Sequence, residues 1–347
     1  MATLGAIILT ERIRVLVVDD SAFMRNALSR EICSDPRFIV VGTACDGREG
    51  VEKALELQPD VITLDVEMPV QGGLAALQQL TAESSAAVIM VSSATEAGAK
   101  TTLEALSLGA IDFIPKTRCK SLLHDKLIAA ASVRDARLKG GTHKPVQQAP
   151  AEAIAMPKGF VAKAIVIGSS TGGPQALAEL FTHLAHPLPV PVFVAQHMPR
   201  PFTAALAGRL QVQSGHSVVE ANNGDSIENG VVYIAPGGQQ MRAGEGLLSV
   251  RQDAGESIYQ PSVDVLMASV RDSYNGAVLG IMLTGLGRDG AREFARLKST
   301  GGWTIAQDAS SCTVFGMPKA LIDAGGACEV VPLKSIASRV SCIIGRG

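Results

Sequence analysis

The sequence predicts an α/β protein made of two domains. Its 347 residues exceed the usual size of one domain, and 131–160, a stretch with several prolines and glycines, divides the chain. On both sides of that stretch, apolar segments of strand length alternate with amphipathic segments of helix length. Glycine is abundant, at 35 residues, and aromatic residues make up only 4% of the chain, which suits buried strands joined to helices by short turns.

The N-terminal domain, which we place at 12–130, contains five successive strand–helix units. Its strand segments are 13–18, 38–44, 60–65, 87–93 and 111–114. Parallel strands need helical crossovers, so these units predict a doubly wound five-stranded parallel sheet. In such sheets the functional residues gather at the carboxyl ends of the strands.

Acidic residues occupy two of these strand ends. Asp19 and Asp20 follow the first strand, and Asp65 ends the third. Carboxylates crowded at one edge repel each other unless a cation compensates, and Mg²⁺ favours such oxygen ligands. Ser92 in the fourth strand and Lys116 after the fifth would suit a phosphoryl group at that edge. Taken singly, an Asp after a strand usually caps a turn or helix, and a lone lysine usually faces solvent.

The C-terminal domain, which we place at 161–347, also alternates strand and helix patterns. Residues 131–160 before it have the composition of a linker, without sustained periodicity. We predict a mostly parallel sheet from eight strand segments: AKAIVIG, PVFVAQ, HSVVEA, VVYIAP, LLSVRQ, AVLGIMLTG, GWTIAQ and CEVV.

A glycine-rich turn, GSSTG at 168–172, lies between the first of these strands and a helical segment. The pattern fits G-x-S-x-G, the layout of a nucleophile elbow, with Ser170 at its centre. The N-terminus of the following helix favours negative charge, on a phosphate as well as on a developing oxyanion. From the turn alone, a phosphate-binding loop and a nucleophilic serine both remain open.

A base and an acid for Ser170 are available at two other strand ends. His197 follows PVFVAQ, and Asp289 follows AVLGIMLTG. At one edge of a parallel sheet, Asp289 can orient His197 while His197 accepts the proton of Ser170. Alone, His197 would more often be a surface histidine, and Asp289 a helix cap. Together the three residues favour nucleophilic catalysis, in a chain order that differs from that of the α/β-hydrolases.

Longer motifs in both domains resemble known families. VLVVDDS, LDVEMPVQGG, VSS and GAIDFIPK are similar to the motifs of two-component receiver domains. IGSSTGGPQAL, AQHMPRPFT, QPSVDVLMASV and GIMLTGLGRDGA resemble the catalytic domain of the chemotaxis protein-glutamate methylesterases. A receiver followed by a catalytic domain is also the domain order of that family.

The receiver resemblance implies a flavodoxin-like fold and a phosphorylation site. Asp65 would be the phospho-acceptor, and Asp19 and Asp20 would hold Mg²⁺ together with it. Ser92 and Lys116 would be the switch hydroxyl and the phosphate-contacting lysine. A chemotaxis histidine kinase would be the phosphodonor. We expect the unphosphorylated receiver to cover the catalytic edge and phosphorylation to weaken that interface.

The methylesterase resemblance implies hydrolysis of glutamate γ-methyl esters on methyl-accepting chemotaxis receptors, with release of methanol. Some members of the family also deamidate receptor glutamines. Ser170 would be the nucleophile, His197 the general base and Asp289 the orienting acid, and no cofactor would be needed for hydrolysis. The backbone N–H groups of Thr171 and Leu286 would form the oxyanion hole, although the family commonly has methionine where this chain has Leu286.

Composition narrows the partners and the compartment. The net charge of −2 provides no general attraction to nucleic acid, and no apolar run is long enough to span a membrane. Six scattered cysteines, without the spacing of a metal site, indicate reduced thiols. We therefore expect a cytoplasmic monomer that neither binds nucleic acid nor inserts into a membrane.

Three other interpretations compete with this one. The C-terminal domain could bind a ligand without catalysing a reaction. It could bind DNA, as the partners of many receivers do, but it is rich in strands and lacks a basic recognition helix. It could also be an esterase that acts on receptors whose array controls an output other than motility.

Overall fold

A computed structural model of the chain shows two compact units, each built on its own parallel sheet. The structure describes residues 12–93, 95–138, 156, 160–253, 255 and 257–345.

The N-terminal unit contains a five-stranded sheet of parallel strands in the order β2-β1-β3-β4-β5. This confirms the predicted doubly wound fold. The strands are β1 (Ile13–Val18), β2 (Phe38–Ala44), β3 (Val61–Asp65), β4 (Ala87–Ser92) and β5 (Asp112–Pro115). The helices that alternate with these strands along the chain are α1 (Ala22–Ile32), α2 (Gly47–Leu57), α3 (Gly73–Glu83), α4 (Glu96–Ser107) and α5 (Cys119–Leu138).

Burial on both faces explains why these strands are continuous apolar runs. Every residue of β3 and β4 is buried, as expected for a parallel sheet covered by helices on both sides. Side-chain caps start two of the helices: Ser21 accepts a hydrogen bond from the N–H of Met24, and Asp46 accepts one from the N–H of Glu49. The strand order reverses between β1 and β3, so the acidic strand ends lie at the topological switch point.

The predicted linker, 131–160, lies mostly outside the described residues. Its first part belongs to α5, which continues to Leu138. None of the helices in the described part of the chain combines the length and the apolar character that a membrane crossing requires.

The C-terminal unit contains a seven-stranded sheet in the order β14-β13-β12-β6-β7-β9-β8, with all of these strands parallel. The prediction of a mostly parallel sheet is confirmed. The strands are β6 (Ala164–Ser169), β7 (Val192–Gln196), β8 (Ser217–Glu220), β9 (Val231–Ile234), β10 (Gln240–Gly244), β11 (Leu247–Arg251), β12 (Val278–Met282), β13 (Trp303–Gln307) and β14 (Glu329–Val331). The helices are α6 (Gly173–His183), α7 (Phe202–Ser214), α8 (Val263–Ser273), α9 (Ala291–Ser299), α10 (Met317–Asp323) and α11 (Leu333–Ile343).

The hairpin of β10 and β11 is the element that the sequence analysis missed in part. These two strands pair antiparallel and form a separate two-stranded sheet. The segment LLSVRQ was predicted as a strand, but its partner QMRAG was not, because it is short and polar at alternate positions. Glu245 and Gly246 join the strands with φ of 51° and 78°. Two positive φ values are typical of a tight hairpin turn, so this Glu-Gly pair was the available signal.

The topology of the larger sheet collects three strand ends at its centre. β6 lies between β12 and β7, and the chain builds one side of the sheet before it crosses to the other. The switch point is therefore next to β6, where ligands of such sheets bind outside the carboxyl ends of the strands.

A buried histidine makes the stability of this unit sensitive to acid. His216 precedes β8 and is 1% exposed. Burial, and to a smaller extent the charge of His186, lowers the pKa of His216 below its ordinary value of 6.5. The folded protein therefore holds His216 neutral. As pH falls through about 6.5, the unfolded chain binds a proton that the folded chain does not, so stability decreases.

We expect His216→Phe to reduce the loss of thermal stability between about pH 7.5 and pH 5.5, because the variant has no imidazole to protonate at this position. Fluorescence of Trp303 can follow the unfolding, because it is the single tryptophan and lies buried in β13 of the same unit. His183→Gln is the matched control, since His183 is exposed on α6. Equal pH dependence of thermal stability in wild type and His216→Phe would contradict the prediction.

Candidate active site

Ser170 and His197 follow two neighbouring strands at the same edge of the seven-stranded sheet. The register pairs Ser169 of β6 with Gln196 of β7, so Ser170 and His197 are the next residues on each strand. The His197 N–H donates to the carbonyl oxygen of Ser169 at 3.0 Å. Asp289 lies in the segment between β12 and α9. The structure thus brings the three predicted residues to one edge.

The carboxylate of Asp289 contacts the imidazole and the start of α8. Its Oδ2 lies 2.8 Å from Nε2 of His197 and accepts a hydrogen bond from the Val263 N–H at 2.7 Å. Its Oδ1 accepts from the Ser262 hydroxyl at 3.0 Å and from the Asp264 N–H at 3.1 Å. Ser262 is the N-cap of α8, so the carboxylate lies at the positive end of a helix.

These donors keep Asp289 ionised inside the protein. Burial alone would raise the pKa of Asp289, but the hydrogen bond and charge of His197 and the N–H groups of Val263 and Asp264 outweigh it, and the pKa is lowered. An ionised carboxylate can only accept hydrogen bonds, so Nε2 of His197 carries the proton of this contact. The other nitrogen, Nδ1, is then left for the hydroxyl of Ser170.

Tyr259 packs against one face of the His197 imidazole. Its ring stacks on His197 with the centroids 4.4 Å apart and the planes 2° from parallel. Sequence reasoning missed Tyr259, because an aromatic residue in a polar loop gives no sign of the residue that it contacts. The imidazole is therefore fixed at one edge by Asp289 and on one face by an aromatic ring.

The turn around Ser170 differs from the expected nucleophile elbow in its backbone. Ser170 does not adopt a positive φ, and the left-handed residue of the turn is Gly172, with φ of 77°. The predicted order of strand, turn and helix is present, but the strain of an elbow is not on the serine. Within the described part of the chain, no hydrogen bond joins the Ser170 hydroxyl to His197, so that contact would have to form when substrate binds.

The two segments predicted to supply the oxyanion hole both adjoin Ser170. Thr171 follows it directly and is buried. Gly285 comes so close that an added Cβ would lie 2.8 Å from Cβ of Ser170 and 2.5 Å from the sulfur of Met317. Only glycine allows this approach, which places the peptide of Gly285 and Leu286 next to the serine. The oxyanion role of these residues stays a prediction.

The acidic edge of the N-terminal unit forms a tight cluster. Carboxylate oxygens of Asp19, Asp20 and Asp65 lie within 4.8 Å of one another. Nζ of Lys116 lies 2.7 Å from Oδ2 of Asp65 and 3.0 Å from Oδ2 of Asp19. Asp19 and Asp65 are buried and Asp20 is exposed, so the cluster is open on one side.

The charges in this cluster fit a hard divalent cation. Burial and the nearby charge of Asp19 raise the pKa of Asp65, although the Lys116 ammonium and the Val66 N–H act in the opposite direction. Burial would lower the pKa of Lys116, but its contacts with Asp65 and Asp19 raise it, so it stays charged. Oδ2 of Asp19 is buried and faces Nζ of Lys116, so one ammonium is shared by the carboxylates of Asp19 and Asp65, and the negative charge that remains suits Mg²⁺.

Ser92 reaches the same edge from β4. It is fully buried, pairs in register with Pro115 and donates a hydrogen bond to the Ser93 carbonyl at 3.2 Å. The structure thus brings all five residues predicted for the receiver site to one end of the sheet.

Comparisons with known proteins show the family of each domain. The model of the CheB methylesterase family matches residues 165–340, and that of the response regulator receiver domain matches residues 15–128. The chain is 42% identical, over 96% of its length, to the protein-glutamate methylesterase/protein-glutamine glutaminase of Symbiobacterium thermophilum, of which 98% is covered. The protein of the same name from Archaeoglobus fulgidus is 43% identical, with 94% of this chain and 97% of that protein covered. The chain belongs to this family.

Solved structures are similar to each domain separately. The crystal structure of the Thermotoga maritima CheB methylesterase catalytic domain is 38% identical and has a TM-score of 0.49, covering 52% of this chain and 97% of that one. The response regulator domain of Thermotoga maritima CheB is 49% identical and has a TM-score of 0.34, covering 35% of this chain and 98% of that one. The two family models, and not these structures, show that the chain joins a receiver domain to a methylesterase domain.

We expect Tyr259→Leu to lower kcat/KM for hydrolysis of a methyl ester about tenfold, because it removes the aromatic face that fixes His197 and faces the imidazolium formed during the reaction. Tyr259→Phe keeps the stacked ring and should stay within about twofold of wild type. Steady-state kinetics on purified variants measure both values. Wild-type activity in Tyr259→Leu would show that the stack does not support catalysis.

Proposed function

We propose that the protein is a phosphorylation-regulated serine esterase that hydrolyses glutamate γ-methyl esters on chemoreceptors and releases methanol. The observation that carries this proposal is the 2.8 Å contact of His197 with a buried, ionised Asp289 at the sheet edge where Ser170 follows β6. The substrate comes from the names of the relatives, two of which are 42% and 43% identical over nearly the whole chain.

The first half of the reaction forms an acyl-enzyme. Oγ of Ser170 attacks the ester carbonyl while Nδ1 of His197 accepts its proton, and Asp289 stabilises the resulting imidazolium through Nε2. The N–H groups of Thr171 and Leu286 face the oxyanion of the tetrahedral intermediate, where one such donor contributes about 3 kcal/mol. The intermediate collapses, the bond to the methoxy oxygen breaks, and His197 returns the proton to form methanol.

The second half regenerates the enzyme. His197 takes a proton from water, the hydroxide oxygen attacks the acyl carbonyl, and the bond to Oγ of Ser170 breaks as the serine regains its proton. The product is a receptor glutamate. The same steps with an amide substrate would release ammonia and convert a glutamine to a glutamate, and we propose this deamidation as a second reaction because the relatives are also named glutaminases.

The receiver domain supplies the regulation. We propose that Asp65 accepts a phosphoryl group from a chemotaxis histidine kinase, with Mg²⁺ held by Asp19, Asp20 and Asp65. Bound Mg²⁺ would offset the charge on the phosphoryl oxygens. The distance of 2.7 Å between Nζ of Lys116 and the Asp65 carboxylate supports a contact of Lys116 with the phosphoryl group. Phosphorylation then relieves a restraint that the unphosphorylated receiver imposes on the methylesterase domain.

We expect Ser170→Ala to lower methanol release from methylated receptor membranes by more than about a thousandfold, because it removes the oxygen that forms the proposed acyl-enzyme. Thermal unfolding followed through Trp303 controls for loss of the fold, since Trp303 lies in the same domain. If Ser170→Ala kept its activity, Ser170 would not be the nucleophile. If wild type released no methanol, a binding domain without catalysis would be the better interpretation.

We expect a small phosphodonor with Mg²⁺ to raise the methanol release of wild type severalfold and to leave that of Asp65→Ala unchanged, because Asp65 is the proposed phospho-acceptor and Asp65→Ala cannot be phosphorylated there. A fragment that begins at Phe160 should exceed the unphosphorylated full chain, since it lacks the receiver. Equal activity of fragment and full chain would contradict the restraint.

A further inference from the structure

The carbonyl oxygens of two peptide bonds beside Ser170 are each held by two hydrogen bonds. A peptide bond is planar and trans, so its C=O and N–H point in opposite directions. The N–H of Thr171 shares a peptide plane with the carbonyl of Ser170, and the N–H of Leu286 shares one with the carbonyl of Gly285. Whatever holds those carbonyls therefore sets the direction of the two N–H groups that we assign to the oxyanion hole.

The peptide plane between Gly285 and Leu286 is held by backbone hydrogen bonds alone. The Gly285 oxygen accepts hydrogen bonds from the N–H groups of Gly316, at 3.1 Å, and Met317, at 2.9 Å, where α10 begins. Most side-chain substitutions would leave these backbone hydrogen bonds in place. No simple substitution can therefore test the orientation of the Leu286 N–H.

The orientation of the peptide plane between Ser170 and Thr171 depends in part on a side chain. The Ser170 oxygen accepts from the Gly173 N–H at 2.8 Å and from Nε2 of Gln196, also at 2.8 Å. Gln196 is the last residue of β7 and is 2% exposed. Its Nε2 also lies 3.3 Å from the carbonyl oxygen of His197. One buried amide thus connects the segments that carry the nucleophile and the base.

The orientation of this amide is fixed by its neighbours. The Ser169 hydroxyl donates to Oε1 of Gln196 at 2.6 Å, while Nε2 faces two carbonyl oxygens that can only accept. There is no spare room around Oε1, because a Cβ on Gly173 would lie 2.0 Å from it. Turning the amide over would place its oxygen against both carbonyls and leave buried polar groups unpaired.

We propose that Gln196 is a positioning residue, oriented by Ser169, which aims the Thr171 N–H at the oxyanion formed during catalysis. The proposal rests on the esterase function given above. The substrate carbonyl oxygen gains its charge only in the transition state, so a misdirected donor costs more there than in the bound substrate. Loss of the amide should therefore lower kcat and leave KM nearly unchanged.

The central variant is Gln196→Met, which keeps the length and volume of the side chain and removes its hydrogen bonds. We expect kcat for methanol release to fall about 10- to 100-fold, with KM within about twofold of wild type. Ser169→Ala should lose less, because Gln196 remains. In the Gln196→Met background, Ser169→Ala should have no further effect on kcat, because the serine acts through the amide.

A transition-state analogue separates this role from general damage to the fold. A glutamyl trifluoromethyl ketone forms a tetrahedral oxyanion on the serine, so its affinity should fall in Gln196→Met by the same factor as kcat. The limbs of the pH–rate profile should stay where they are in wild type, because the contact of His197 with Asp289 is untouched.

Thr304→Val is the matched control. Thr304 is fully buried in β13 of the same domain, and its hydroxyl bonds to the Gly326 carbonyl and the Cys328 N–H at 2.6 and 2.9 Å. Thr304→Val should lower the melting temperature and leave kcat and the affinity for the ketone at their wild-type values.

Three results would overturn the proposal. They are wild-type kcat in Gln196→Met, a loss of kcat in that variant without a loss of ketone affinity, and an equal loss of kcat in Thr304→Val at equal destabilisation. If Ser170→Ala is inactive, any of these results would overturn only the role of Gln196 and not the proposed esterase function. The esterase function itself would be overturned if wild type released no methanol.

Discussion

The pairing of β6 with β7 is the constraint on which the methylesterase domain depends. Their register sets Ser169 opposite Gln196, so Ser170 and His197 leave the sheet side by side. A slip of one residue would turn every side chain of β7 to the other face and move His197 away from Asp289. Backbone hydrogen bonds alone do not exclude such a slip. The buried bond between the side chains of Ser169 and Gln196, at 2.6 Å, can form only in the observed register.

Two buried acids, one in each domain, have opposite electrostatic surroundings, and each matches a different task. Asp289 is surrounded by donors from His197 and the start of α8, which lower its pKa in spite of burial. That environment suits a group that remains an anion and orients an imidazole. Asp65 lies against the carboxylate of Asp19, and burial raises its pKa. Lys116 compensates only part of that charge, so the receiver edge still favours a cation, and its oxygen donors suit Mg²⁺.

Sequence alone predicted most of the fold and the outline of the site, and the reasons are physical. Parallel strands buried on both faces are continuous apolar runs, and one edge gathers their carboxyl ends, which is why Ser170, His197 and Asp289 could be found. The amphipathic strand β10 lacks such a run and was missed. Gln196 and Tyr259 were also missed, because their roles lie in tertiary contacts. No sequence pattern indicates which imidazole nitrogen faces the acid, since the position of the Asp289 loop sets it.

The glycines after β6 are explained by what must fit around Ser170. A phosphate-binding loop uses glycine so that a ligand can approach the backbone. Here the space beside Gly173 is filled by the amide of Gln196, and the Gly285 peptide packs against Ser170. The protein's own groups fill the space beside these two glycines. The turn is therefore built around an internal hydrogen-bond network, which gives a rigid peptide plane behind a serine whose hydroxyl is left to react. That combination suits nucleophilic catalysis, in which a hydroxyl attacks and a fixed N–H stabilises the oxyanion.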